Sequence, residues 1–391
     1  MSMNQDMIRI LPHELSSLIV QFMNVVSIFS LSMTSKQYRQ LMSIHISITG
    51  MNKIHLNAIA NGYASLFKWL VPKIRRRHDI RSFCEVAATS GSLDILKYLH
   101  EDDCGFSIGE CYGAAMGGHN ETLKYLLENK CILNAHVCAN AVRHGHFEIL
   151  KYLHANGCPW DAWSCSMAAG SGSMEILKYL RSNGCPWNEY TCANAAANGH
   201  LEVLKYLHEN GCRWNEDACN EAAKYGHLEI LKYLFENGCD WDENTYNHAA
   251  KSGRIEIIKY LHENECPWNK YTCSNAVESR KLEVVIYLHE NGCYWDDDSC
   301  VTAARYDMLD ILKYLHENGC PWDERACTRA SENNHLDILK YLHENGCPWD
   351  VLSCTRANQN NHVEVLKYLH EHGCPCDTQD CTYCVNTCCA S

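Results

Sequence analysis

The sequence predicts an all-α fold, a solenoid of about 11–12 helix–turn–helix repeats preceded by a small helical module. Three observations carry this. A tyrosine recurs every 27 residues without a slip, eleven times from Tyr98 to Tyr368. The words around it recur too, in forms close to Gly199-His200-Leu201-Glu202-Val203-Leu204-Lys205-Tyr206-Leu207-His208-Glu209-Asn210-Gly211-Cys212. The 26 cysteines keep the same count: eleven stand one per repeat at the slot after the glycine position, from Cys104 to Cys374, and eleven more stand seven residues on, from Cys84 to Cys381, with only Tyr246 breaking that series. A strict period of this size means that each unit buries its apolar face against its neighbours alone. Cysteines spread so evenly serve packing, as small buried hydrophobes, and not a secreted disulfide framework. Solenoids offer extended surfaces, which points to binding before catalysis.

The first element differs in kind from the repeats. Leu11-Pro12-His13-Glu14-Leu15 opens a helical pattern that runs through Leu18, Ile19 and Phe22, then Ile28, Phe29 and Leu31. It closes on Leu31-Ser32-Met33-Thr34-Ser35-Lys36-Gln37-Tyr38-Arg39-Gln40-Leu41. This resembles an F-box, with its opening L-P-x-E-L and closing L-x-x-V-C-K-x-W-R-x-L. Thr34, Ser35 and Tyr38 stand where that pattern has Val, Cys and Trp, and Ser27 replaces its middle acidic residue. The resemblance implies a module that binds the Skp-type adaptor of a cullin-RING ubiquitin ligase. Leu11, Pro12, Leu15, Ile19, Ile28 and Leu31 would then supply the adaptor contact or its supporting core. The alternative is a helical cap on the first repeat.

The repeat is built from two helices. In the unit Thr191–Glu216, Thr191 has N-cap chemistry, and Cys192, Ala195 and Ala196 fall on one side of a short first helix. Gly199 ends that helix in the left-handed position that favours glycine. Leu201, Val203, Leu204 and Leu207 form the apolar face of a second helix, while Glu202, Lys205 and Glu209 face water. Gly211 caps the second helix, and Cys212 with Trp214 closes the unit over the next. The string resembles the ankyrin repeat, A-A-x-x-G-H-L-E-V-V-K-L-L-L-x-x-G-A-D-x-N, over about residues 53–381. The ankyrin unit has about 33 residues, so about six are missing here, and the projecting β-hairpin finger is expected to shrink to a tight loop. Such uniform repeats with the G-C-P-W word resemble the expanded ankyrin families of large DNA viruses of protists, which implies action in the host cytoplasm.

Comparison between repeats separates scaffold from surface. The Tyr206, Leu207, Cys212 and Trp214 positions hardly change and belong to packing. The variable registers hold Arg143, His144, Lys224, Tyr225, Arg305 and Tyr306 at the end of the first helix, and Trp163, Tyr190 and Tyr271 just before it. The ankyrin resemblance places both registers on the concave face, as candidates for binding a protein target. Exposed aromatics and arginines are typical interface anchors.

The repeats are not expected to carry chemistry. His208 and its counterparts stand one helix spacing apart, too far to share a zinc whose ligands lie about 2.0–2.3 Å from the metal. Cys212 with Cys219 is the local thiol pairing, and two thiols make half a site. Neither metal, cofactor nor catalytic residue is expected, since Gly-rich phosphate loops, H-E-x-x-H and G-x-S-x-G are all missing. The net charge of −13 argues against nucleic acid. No secretory leader or spanning segment is read, so a cytoplasmic monomer is expected. The tail leaves three readings open. Cys388 heads a C-a-a-X pattern that would be farnesylated, giving the only route to a membrane. Cys376, Cys381, Cys384 and Cys388 could form a small zinc site, or the tail could simply fray. The domains expected are 1–50 (F-box-like), 51–381 (repeats) and 382–391 (Cys-rich tail).

Overall fold

The computed structural model describes residues 56, 59–60, 64, 67–68, 77–101, 105–269 and 271–376. These residues form helices joined by turns, and no strand occurs among them. The chain falls into two compact units, Met1–Trp187 and Asn188–Ser391. In the first, four helix pairs follow one another among the described residues from Arg77 on: α1 (Arg77–Thr89) and α2 (Leu93–Glu101), α3 (Ile108–Gly117) and α4 (Asn120–Glu128), α5 (Ala135–Arg143) and α6 (Phe147–Ala155), α7 (Ala162–Gly170) and α8 (Met174–Ser182). The second unit has seven: α9 (Glu189–Ala197) and α10 (Leu201–Glu209), α11 (Glu216–Tyr225) and α12 (Leu228–Glu236), α13 (Glu243–Ser252) and α14 (Ile255–Glu263), α15 (Tyr271–Glu278) and α16 (Leu282–Glu290), α17 (Asp297–Arg305) and α18 (Leu309–Glu317), α19 (Glu324–Glu332) and α20 (Leu336–Glu344), α21 (Val351–Gln359) and α22 (Val363–Glu371). The first fifty residues and the tail beyond Cys376 lie outside the described residues.

Each first helix begins earlier than the sequence reading placed it. Asn188, not Thr191, is the N-cap of α9, and Thr191 sits in the first turn with its Oγ1 accepting from Asn188 N at 3.3 Å. At α13 the arrangement is reciprocal: Asp242 Oδ1 accepts from the backbone N–H of Asn244 and Thr245, and Thr245 Oγ1 accepts from Asp242 N. Such a capping box satisfies donors that the helix start would leave unpaired. The residues assigned to a shortened finger are therefore helical, and the loop stops at the cap.

Within each unit, first helices of successive repeats pack directly on one another. Ala195 and Ala196 are fully buried, as are their counterparts up to Ala330 and Ser331, and they keep the helices close. Second helices bury only their Val203-, Leu204- and Leu207-type stripe. Gly199, at φ +78°, makes the turn between the two.

Four recurring contacts stitch neighbouring repeats, and together they explain the constant letters. Cys239 Sγ donates to Asn215 O at 3.3 Å, from one loop to the preceding one, and Cys347 does the same to Asp323 O. His227 Nε2 lies 3.1 Å from Ala197 O, a carbonyl that the end of α9 leaves without a helical partner. His208 Nδ1 takes the Tyr233 hydroxyl at 3.2 Å. Trp214 stacks beneath His208, with centroids 3.9 Å apart, and meets the Tyr233 ring edge-on. The tyrosine slot is thus half-buried against the next repeat, less enclosed than its constancy suggested.

The thiols pair differently from the sequence reading. Cys219 Sγ lies 3.5 Å from Cys239 Sγ, so the partner is twenty residues on and not the neighbour Cys212. The connection runs from the first helix to the loop that closes its own repeat. Cys273 and Cys293 take the same pairing, from first helix to closing loop. Tyr246, which interrupts the cysteine series, is fully buried in the vacated slot and packs edge-on against Trp268. That contact spreads the His262–Trp268 stack to 5.2 Å.

Candidate functional site

The nine-residue first helices decide which positions reach solvent. With 3.6 residues per turn, the side chains of Tyr190, Asn194 and Ala197 fall on one face, and Thr191, Cys192, Ala195 and Ala196 on the other. The second set is buried and the first is not. Asn194 Nδ2 donates to Tyr190 O, and Asn198 Nδ2 to Asn194 O, so short amides line this face with side chains tied to its own backbone.

Trp163, Tyr190 and Tyr271 stand in the first turn of their helices, inside the helix and not ahead of it. They are 49%, 56% and 54% exposed, which is high for aromatic side chains. At the opposite helix end, Tyr225 and Tyr306 are also exposed, beside Arg143, His144 and Arg305; Lys224 is half-buried. Two of the tyrosines are held under cations. Lys224 Nζ lies 4.8 Å from the Tyr225 ring centre, and Arg280 and Arg305 lie 5.6 and 5.8 Å from that of Tyr306. Such contacts restrain exposed rings.

Equivalent positions of adjacent repeats touch on this face. Arg325 pairs with Asp298, 27 residues earlier, at 2.7 Å, and Lys251 pairs with Glu278, 27 residues later, at 2.7 Å. Exposed pairs of this kind add little stability, but they make one continuous surface from single residues of successive repeats. In the second unit they border an open cleft shared by Tyr271, Asp296, Asp298, Arg305, Arg325 and Arg329. The structure thus brings Tyr271 and Arg305 to one cleft. Arg143, His144 and Trp163 belong to the first unit. Arg325 and the exposed Leu352 share the Tyr190 register, so the 27-residue count that found Tyr190 and Tyr271 marks them as well.

The histidines of the second helices do not serve this face, because their Nδ1 atoms face tyrosine hydroxyls of the next repeat. At the last repeat the pattern breaks. Cys376 replaces the tryptophan, and Cys354 Sγ lies 2.9 Å from Cys376 Sγ and 3.5 Å from His370 Nε2. Sequence reading missed this cluster because Cys354 and His370 look like ordinary register residues. Leu11, Pro12, Leu15, Ile19, Ile28, Leu31 and Cys388 lie outside the described residues. Among those described, no helix is long and apolar enough to cross a membrane.

The F-box domain model matches residues 8–47. The model for ankyrin repeats (3 copies) matches residues 136–218, 165–245, 219–299 and 300–380. A search of curated proteins finds no match. Among solved structures, the human ASB11 ankyrin repeat domain is 20% identical at a TM-score of 0.35, covering 41% of this chain and 84% of that one. The ankyrin matches together span residues 136–380 of 391, well over half of the sequence, and among the described residues the helix pairs repeat as far as Glu371. The chain belongs to the ankyrin-repeat family.

Proposed function

We propose that this chain is a non-enzymatic substrate receptor of a cullin-RING ubiquitin ligase. Residues 1–50 hold a Skp-type adaptor, residues 51–381 hold the protein to be ubiquitinated, and residues 382–391 form a separate Cys-rich tail. The observation that carries the reading is the pairing of two interaction modules in one chain, an F-box match at 8–47 followed by ankyrin repeats. Exposed aromatics under cations on the first-helix face suit a protein target, since Tyr, Trp and Arg dominate binding hot spots. The acidic balance of the chain suits no polyanion. The resemblance of the repeats to viral ankyrin families supports the host cytoplasm as the setting of this activity.

Adaptor capture by the full chain tests the reading. The wild-type chain is expected to co-purify with a Skp-type adaptor and cullin, and Leu11→Ala with Pro12→Ala to abolish this while the helical signal of the repeats stays unchanged. An intact array that recovers no adaptor would leave an ankyrin scaffold or inhibitor without a ligase link.

A further inference from the structure

The last described repeat departs from its sisters at the tryptophan position. In the preceding repeat His343 stacks on Trp349 with centroids 4.0 Å apart, and the tryptophan fills the space over the histidine. One repeat later that slot holds Cys376. A thiol is far smaller than an indole, and it leaves the edge of His370 facing two sulfurs. Cys354, His370 and Cys376 then offer one nitrogen and two sulfurs, all within 4.8 Å of one another. Cys354 is buried, and His370 and Cys376 are half-buried, so the cluster lies beneath the surface with one side open to it.

We propose that Cys354, His370 and Cys376 form a zinc site. This departs from the sequence expectation of a metal-free array, and it uses a different ligand set from Cys376, Cys381, Cys384 and Cys388. Thiolate and imidazole together suit Zn²⁺, whose bonds of about 2.3 Å to sulfur and 2.0–2.1 Å to nitrogen set the test of fit. Tetrahedral angles then require ligand separations of about 3.8 Å between sulfurs and about 3.6 Å between sulfur and nitrogen. The Cys354–His370 separation of 3.5 Å already meets this. The two sulfurs, 2.9 Å apart, must open by just under about 1 Å. Cys376 is the half-buried partner, and a turn of its side chain is the movement required. Binding converts two thiols to thiolates and releases two protons, while His370 binds as the neutral ring. The three residues leave the fourth tetrahedral position open.

The sister repeats supply the variants that test this. Cys376→Trp restores the residue of eight other repeats. His370→Phe places at this position the residue that a sister repeat carries as Phe235, so the slot tolerates phenylalanine. The full reduced chain is titrated with Zn²⁺ against a chromophoric chelator, in a reductant that does not bind metal, with circular dichroism to confirm folding. Wild type is expected to hold one equivalent and to release two protons on binding it. Cys376→Trp should lose that equivalent, and His370→Phe should bind it more than about 100-fold more weakly, beyond the usual penalty for disturbing an outer-shell partner. Co²⁺ in the wild-type site should give the intense ligand-field bands of a tetrahedral ion with thiolate ligation. Retention of the full equivalent in Cys376→Trp would show that zinc sits elsewhere and overturn the proposal. Retention in His370→Phe alone would assign the metal to the tail cysteines and overturn it equally.

Discussion

Tyr341 places its hydroxyl 3.1 Å from Nδ1 of His316, twenty-five residues earlier and one repeat away. The hydroxyl donates where Nδ1 carries no proton, and the ring donates in the other tautomer. His316 in turn lies flat on Trp322 at 3.8 Å, and Trp322 meets the Tyr341 ring edge-on. The same triad joins His154, Trp160 and Tyr179, and again His289, Trp295 and Tyr314. A second helix presents only one apolar stripe inward, so its contact with the next repeat depends on this aromatic edge.

The edge can be weighed by taking the hydroxyl and the ring away in turn. Tyr341→Phe keeps the ring and loses one hydrogen bond, and it should cost about 1 kcal/mol. Tyr341→Ala also loses the ring; because the side chain is only half-buried, the cost should fall below the about 3–5 kcal/mol of a fully buried aromatic. In an array coupled between nearest neighbours, the loss should appear first as fraying of α19–α22. Urea melts with hydrogen exchange on each variant check this. Equal stability of Tyr341→Phe and wild type would show that the hydroxyl contact contributes nothing.

The repeat was legible because its period is exposed in plain letters: one tyrosine and two cysteines every 27 residues fix where each helix pair starts again. The glycine turns were legible for the same reason, since a left-handed residue leaves few choices. Partners across repeats were not. The sequence places Cys212 and Cys219 seven residues apart, yet packing joins Cys219 to Cys239, because the first helix turns its thiol toward the loop that closes the same unit. Thr191 looked like a cap because its chemistry suits one, but Asn188 suits it equally, and only the backbone decides between them. The Cys354–His370–Cys376 cluster was hidden because a missing tryptophan reads as decay of the pattern at its end.

Protonation should loosen the array near its C-terminal end. Burial, and then the nearby His372, lower the pKa of His343 below the ordinary histidine value, with Glu344 opposing. The unfolded chain therefore binds a proton more readily than the fold does, and stability falls as pH drops below about 6.5 toward the folded-state value. His248 adds in the same direction, through burial and then Lys224. His343→Phe should flatten part of this dependence while keeping the stack on Trp349, because Phe235 on Trp241 already shows that geometry. Urea midpoints for the two proteins across pH 5 to 8 provide the comparison. An unchanged pH profile in His343→Phe would remove His343 from the account.

Tyr225 and Tyr306 should behave oppositely to Tyr341. Both are exposed at the ends of first helices, 49% and 41%, and each lies under a cation. Neither ring fills a space between repeats, so truncation to alanine should change stability by no more than about 0.5 kcal/mol. If these rings anchor a partner, each truncation removes a hot-spot contact worth more than about 1 kcal/mol, and the double variant Tyr225→Ala with Tyr306→Ala should weaken capture by at least about tenfold. The measurement is quantitative recovery, by mass spectrometry, of proteins bound to wild-type and variant chains under identical conditions, beside thermal melts of both. Arg143 and His144, in the first unit, serve as a separate probe of the same register. If the tyrosine pair lowers stability as much as Tyr341→Ala does, these two ring positions are packing surface, and recognition must be sought elsewhere on the face, in the cleft bounded by Asp298, Arg325 and Arg329.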